Sequence, residues 1–184
     1  MSLKEKYEKE VKKKMMEIFG YKNPLSCPKI EKVIVNTSFG KLLANSKPEN
    51  HQKVIQEIER DLSLITGQKP LITFAKKSIA GFKVRKGQPV GAKVTLRRQR
   101  MFDFLEKLFF IALPRSRDFR GIEGSSIDKN GNLTVGIKEH SVFPEISLDK
   151  TNIIFGLEAT IVTTAKKRNE AETLFKLLGF PIKS

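Results

Sequence analysis

An α+β fold is expected, with a largely antiparallel sheet carrying helices on one face and leaving its other face exposed. Three observations predict it. Short β-branched segments alternate apolar and polar residues with a period of two. Most are joined by Gly- and Pro-containing connectors of hairpin length. Apolar stripes at helical spacing fall between groups of strands. The 184 residues, with 13 Phe and no Trp, suit one two-layer domain over residues 1–184 with a sizeable core.

The elements follow in order. Ser2-Leu3-Lys4-Glu5 has the capping-box form, and Tyr7, Val11, Met15, Ile18 and Phe19 recur at helical spacing behind it. A helix over 2–20 packing on the domain is expected, stopped by Gly20. Lys29 to Phe39 reads as a strand with Val33 and Val35 on one face and Ile34, Asn36 and Ser38 on the other. Gly40 to Lys47 reads as a loop. Val54, Ile55, Ile58, Leu62 and Ile65 mark a helix from Pro48 to Thr66, closed by Gly67. Leu71 to Ala75 is a short strand. Ser78 to Gly91, with three Gly and one Pro, is either a long hairpin loop or a hairpin with ragged ends.

Ala92, Val94 and Leu96 then alternate with Lys93, Thr95 and Arg97, an amphipathic strand with a cationic outer row. An apolar helix spans Met101 to Ala112, ended by Pro114. Asp128 to Asn132 is a hairpin turn between short strands, because Asn-Gly accepts positive φ. Leu157 to Thr164 is the last strand, and Asn169 to Leu178 a terminal helix stopped by Gly179 and Pro181.

Charge points to function. The formal net charge is +15, and most of it lies between Pro70 and Gly121, where only Asp103, Glu106 and Asp118 oppose the cations. Crowding like charge destabilises a fold unless a polyanion relieves it, so nucleic acid leads the candidate partners. A membrane surface is disfavoured, because the first helix has only a narrow apolar stripe. One cysteine, Cys27, supports neither a disulfide framework nor a thiolate metal cage. With no apolar run near the roughly 20 residues of a membrane span and no signal-peptide core, a cytoplasmic protein is expected.

Catalytic patterns are missing. His51 and His140 stand far apart in sequence and read as surface histidines. The glycines from Gly81 to Gly91 do not make a phosphate-binding loop followed by a helix, and no nucleophile elbow surrounds Ser125-Ser126. No enzyme, cofactor or metal site is expected.

RNA binding needs cations for phosphates, small residues that admit the backbone, and donors or flat faces for bases. Lys76, Lys77, Lys83, Arg85 and Lys86 crowd a stretch containing Ser78, Gly81, Phe82 and Gly87. Phe82 either stacks on a base or anchors the loop in the core. Lys93, Thr95 and Arg97 line one sheet face. Asn36 either ends its strand or offers its amide to a base or phosphate. Arg115, Arg117 and Arg120 form a separate cluster, with Asp118 either fixing that loop or standing among RNA contacts.

Several runs carry a closer resemblance. They are Thr66 to Pro70, Ala75 to Lys83, Gly91 to Arg97, Ala112 to Gly121, Phe143 to Ile146 and Ile161 to Ala165. In this order they resemble the universal, bacterial-type large-subunit ribosomal protein family that binds 5S rRNA, over about residues 7–181. The resemblance implies a structural role in the central protuberance, with 5S rRNA, 23S rRNA, P-site tRNA, neighbouring central-protuberance proteins and a small-subunit head protein as partners. By position, Asn36, Gln68 and Thr95 match the family's 5S-contacting polar residues, supported by Lys69, Lys93 and Arg97. The loop with Lys76, Lys77, Ser78, Phe82, Lys83, Arg85 and Lys86 matches the tRNA-facing segment. The basic loop with Arg115, Arg117 and Arg120 matches the side facing the intersubunit bridge. One departure stands out: Arg98 occupies the place after T-L-R where the family usually has Gly.

Overall fold

The computed structural model describes every residue except Lys83, Arg117, Asp118, 148–150, Asn152 and Ser184, and does not describe the side chain of Phe82. One open sheet runs through it in the order β2-β3-β1-β5-β4, so β2 and β4 are its edges. The strands are β1 (Ile30–Ser38), β2 (Leu71–Phe74), β3 (Pro89–Leu96), β4 (Leu133–Ile137) and β5 (Leu157–Thr163). With five helices alongside this antiparallel sheet, the fold is α+β. The helices are α1 (residues 3–19), α2 (Gly40–Asn45), α3 (His51–Thr66), α4 (residues 98–115) and α5 (Arg168–Leu178). Both α1 and α4 widen into a π turn, over Tyr7–Val11 and Leu108–Ala112.

The chain divides into two compact units, one of Met1–Val33, Arg97–Val135 and Thr160–Ser184, the other of Ile34–Leu96 and Gly136–Ala159. In the first, α1 begins with the expected capping box between Ser2 and Glu5, and ends at Gly20 with φ 68°. Its buried Leu3, Val11 and Met15 form the inner stripe. Tyr7 donates to Pro28 O at 3.0 Å. Burial, with smaller contributions from Cys27 and Glu8, pushes its phenol up to about 12, so it stays a donor. The Lys6 ammonium donates to Leu178 O at 3.0 Å, satisfying a carbonyl at the end of α5 where the helix dipole favours a cation. Gly131, in the turn before β4, has φ 77°, and a Cβ there would lie 2.9 Å from the Ala171 Cβ. That position needs glycine for both reasons.

In the second unit α3 buries Ile58, Leu62 and Ile65, worth about 2 kcal/mol each in transfer terms. They join Val35 of β1 and Ala92, Val94 and Leu96 of β3 in the core. A Cβ at Gly91 would stand 2.7 Å from Thr37 O and 3.0 Å from Thr73 Oγ1. Glycine therefore allows β3 to approach β1 closely.

Four expectations change. Gly40–Asn45 is a helix, not a loop, closed by the Phe39 to Leu43 turn in which Leu43 N donates to Phe39 O at 3.0 Å. The third strand begins at Pro89 rather than Ala92, with Phe74 paired to Pro89 across a register shift. Proline is tolerated there because it is the strand's first residue. Helix α4 starts at Arg98 and carries Pro114 inside its last turn, which ends at Arg115. The fourth concerns His140, which is fully buried instead of at the surface. His51 is half-buried.

His140 ties two distant segments. Phe155 N–H donates to its Nδ1 at 3.4 Å, which leaves the proton on Nε2 to donate to Asp61 Oδ2 at 3.3 Å. Its ring stacks on Phe155 with centroids 3.9 Å apart. Arg60 pairs with the same buried carboxylate at 2.9 Å. Burial holds the imidazole pKa below its ordinary range, with Asp61 opposing that shift.

Candidate nucleic-acid interface

The open face of the second unit is built by strand alternation. Along β1, Val35 and Thr37 turn inward while Asn36 and Ser38 are exposed. Along β3, Ala92, Val94 and Leu96 turn inward while Lys93 is exposed and Thr95 half-exposed. Thr37 is held by its own hydroxyl, which donates to Gly156 O at 2.7 Å. The result is a row of short polar side chains and one cation, the small, donor-bearing surface that RNA recognition uses.

Gln68 sits just past the end of α3, where Gly67 at φ 65° reverses the chain. Its side-chain N–H donates to Thr95 O at 3.3 Å. One amide N–H is thus engaged with the β3 backbone, which leaves the other N–H and the carbonyl oxygen to meet a ligand. Lys69 is 84% exposed on its side chain, with its ammonium 3.5 Å from Glu59. Arg97 belongs to the first unit, where its guanidinium stands 3.4 Å from Glu31. Pairs this exposed are worth at most about 1 kcal/mol, so a phosphate can displace either glutamate. Asn36, Gln68, Lys69, Lys93 and Thr95 thus belong to one unit, and Arg97 is described with the other. No sequence signal pointed to Glu31 or Glu59, which lie 66 and 10 positions from the cations they hold.

The segment after β2 is a closed hairpin. Ala75 N donates to Gln88 O at 2.8 Å and Gly87 N donates back to Ala75 O at 2.9 Å. Ile79 and Val84 exchange a second pair of backbone bonds at 2.9 and 3.2 Å. The hydroxyl of Ser78 accepts from Lys86 N at 2.9 Å, and the Gln88 amide oxygen from Arg85 N at 3.1 Å. Ser78 therefore works inside the turn. Lys76, Lys77, Arg85 and Lys86 are exposed and enter no ion pair among the described residues. The Phe82 backbone closes a 3-10 turn over Ala80–Phe82; its side chain, and Lys83, fall outside the described residues.

Of the third group, Arg115 ends α4 and Arg120 follows, both exposed in the first unit. Arg117 and Asp118 lie outside the described residues. Arg98, one residue past Arg97, has φ 55°, the only left-handed non-glycine among the described residues. Side chains reach that conformation at a cost of about 1 kcal/mol or more, which gives physical content to the glycine expected there. Among the described residues no three His, Cys, Asp or Glu side chains gather as a metal site, and no helix is long and apolar enough to cross a membrane.

An α+β protein whose outward strand face carries small polar groups and a cation has the kind of surface that structural RNA-binding proteins use. Comparison with known proteins specifies it further. Residues 23–85 match the model of ribosomal protein L5, and residues 89–182 match the model of the C-terminus of that ribosomal protein family. The chain is 51% identical over 183 residues to large ribosomal subunit protein uL5 of Desulforapulum autotrophicum, covering 100% of this chain and 99% of that one. It is 52% identical over 179 residues to uL5 of Caldanaerobacter subterraneus subsp. tengcongensis, covering 97% of each. The chain belongs to the ribosomal protein L5 family. It is a structural constituent of the large ribosomal subunit, not an enzyme.

Proposed function

We propose that this chain fastens 5S rRNA into the large subunit through the open face of its second unit. The observation that carries the proposal is the outward row of Asn36, Lys93 and Thr95, with the Gln68 amide bonded to Thr95 O at 3.3 Å. That bond fixes the β3 backbone beside the Thr95 hydroxyl, so the hydroxyl meets RNA without first being ordered. Lys69 and Lys93 neutralise phosphates around it, and Arg97 of the first unit is a phosphate contact in its own right. Residues 1–184 serve in this role as a single 5S rRNA-binding ribosomal protein domain, in the cytoplasm.

The remaining contacts follow by division of labour. The hairpin carrying Lys76, Lys77, Ser78, Phe82, Lys83, Arg85 and Lys86 faces P-site tRNA; what supports this is a rigid neck presenting cations that the protein leaves unpaired among the described residues. Arg115, Arg117 and Arg120 face the intersubunit bridge and a small-subunit head protein. Further contacts with 23S rRNA and neighbouring central-protuberance proteins complete the role.

Binding to 5S rRNA is to be compared with binding to a length-matched structured RNA at several salt concentrations. Tight, 5S-preferring binding that survives physiological salt is expected. Equal binding to both RNAs that collapses as salt rises would reduce the interface to counterion release and overturn the proposal.

A further inference from the structure

We infer that Phe74 is a base-stacking residue, which takes an unpaired RNA nucleobase at the neck of the basic hairpin. This rests on the hairpin's reading as an RNA contact and deepens it. Phe74 is 59% exposed at the end of edge strand β2, and has no ring partner among the described residues. A ring with no polar atom gains nothing from such exposure, and among the described residues no ring stacks on it.

Its backbone is nevertheless held firmly. Phe74 pairs with Pro89 across a register shift, and the next residue, Ala75, both donates to Gln88 O and accepts from Gly87 N, at 2.8 and 2.9 Å. The ring is therefore presented from a fixed strand end, so ordering it on binding costs little. A flat apolar face on a fixed stem is what sequence-tolerant stacking requires.

The charge around it selects the occupant. Lys76 and Lys77 follow Phe74 after Ala75, and Arg85 and Lys86 return along the opposite arm of the neck, all four exposed. No acidic residue occurs between Asp61 and Asp103. An apolar protein segment docking here would bury its backbone among uncompensated cations. An RNA strand supplies the ring with a base and the cations with phosphates at once. Sequence alone left Phe82 either stacking on a base or anchoring the loop in the core; exposure and a fixed neck point to Phe74 as a stacking residue.

The chain contains no Trp, which allows a clean experiment. The full chain and its Phe74→Leu, Phe74→Tyr and Phe74→Trp variants are titrated with an unstructured RNA oligonucleotide and with a blunt RNA duplex. Phe74→Leu is expected to weaken oligonucleotide binding about tenfold, with Phe74→Tyr close to the parent, because only the π face is removed. Duplex binding stays unchanged, since paired bases offer no free face. Emission from the Phe74→Trp variant is quenched by the oligonucleotide and not by the duplex. Equal affinities of parent and Phe74→Leu for the oligonucleotide, or equal losses on both RNAs, would overturn the inference. So would quenching by vesicles of anionic phospholipid in place of RNA, or a self-association that Phe74→Leu abolishes. A Lys76→Ala/Lys77→Ala variant separates the two levels. If it binds both RNAs like the parent, the hairpin reading itself fails. If it loses affinity while Phe74→Leu does not, only the stacking role fails.

Discussion

In the second unit, the cation in the connector before β2 and the cations of the hairpin are presented in opposite ways. Lys69 is held 3.5 Å from Glu59, and the neighbouring Thr95 is braced by Gln68. Lys76, Lys77, Arg85 and Lys86 have rigid backbone beneath them and no carboxylate beside them among the described residues. The first arrangement positions a few groups at the expense of net charge; the second maximises charge and leaves the side chains free. Shape-selective recognition is expected from the strands, and salt-sensitive attraction from the hairpin.

The sharpest way to break this comparison is at the strand platform itself. Gly91→Ala forces a Cβ to within 2.7 Å of Thr37 O and is expected to destabilise the protein by about 2–3 kcal/mol, measured by denaturant unfolding. Gly81→Ala, in the hairpin, where a Cβ meets nothing within 4 Å, should leave stability nearly unchanged. Comparable losses from both would erase the distinction between a packed platform and an open loop.

Next in size is the buried tie behind the platform. His140→Ala removes a partner from buried Asp61, and a loss of about 2–3 kcal/mol is expected on thermal or chemical melting. The parent protein should also lose stability as pH falls below about 6.5. The folded imidazole resists protonation, so the unfolded chain binds the extra proton there and gains by it. Above 6.5 this contribution is fully present. A melting temperature flat from pH 7.5 to 5.0 would contradict the assigned neutral tautomer, provided acidic groups are matched by a His140→Gln control.

Thr95→Ala should weaken 5S rRNA binding by about 1–3 kcal/mol, with Gln68→Ala at the lower end because it acts by holding Thr95. Filter binding reads both. The Lys76→Ala/Lys77→Ala variant should barely change 5S binding, but should lower the salt slope for tRNA by about 1–2 units. A large loss of 5S affinity in that variant would merge the two regions into one site. The smallest expected effect is a gain: Arg98→Gly should raise stability by about 1 kcal/mol by relieving the left-handed backbone at φ 55°, at the loss of one cation.

Local pattern made much of this protein legible. The alternation in β1 put Val33 and Val35 on one face and Asn36 and Ser38 on the other, and Val33 and Val35 are buried while Asn36 and Ser38 are exposed. The row of Lys93, Thr95 and Arg97 is outward for the same reason. Helix α3 ends at Gly67 as the spacing indicated, because positive φ at a helix end favours glycine. Helix α2 escaped notice since six residues carry too little periodicity to distinguish helix from loop. The start of β3 was hidden by Pro89 and Gly91, residues that usually break strands and here occupy a first position and a close strand approach.

The sequence by itself determined the α+β class, the basic net charge and the face-sharing of the strand residues, because strand period and net charge are properties of neighbours along the chain. Tertiary structure alone decided which glutamates hold Lys69 and Arg97, that the Gln68 amide is engaged with β3, and that His140 is buried against Asp61, 79 positions away. Those facts depend on which distant segments meet when the core closes. Burial and a partner's distance then set what a side chain can do, and neither is written in its neighbours.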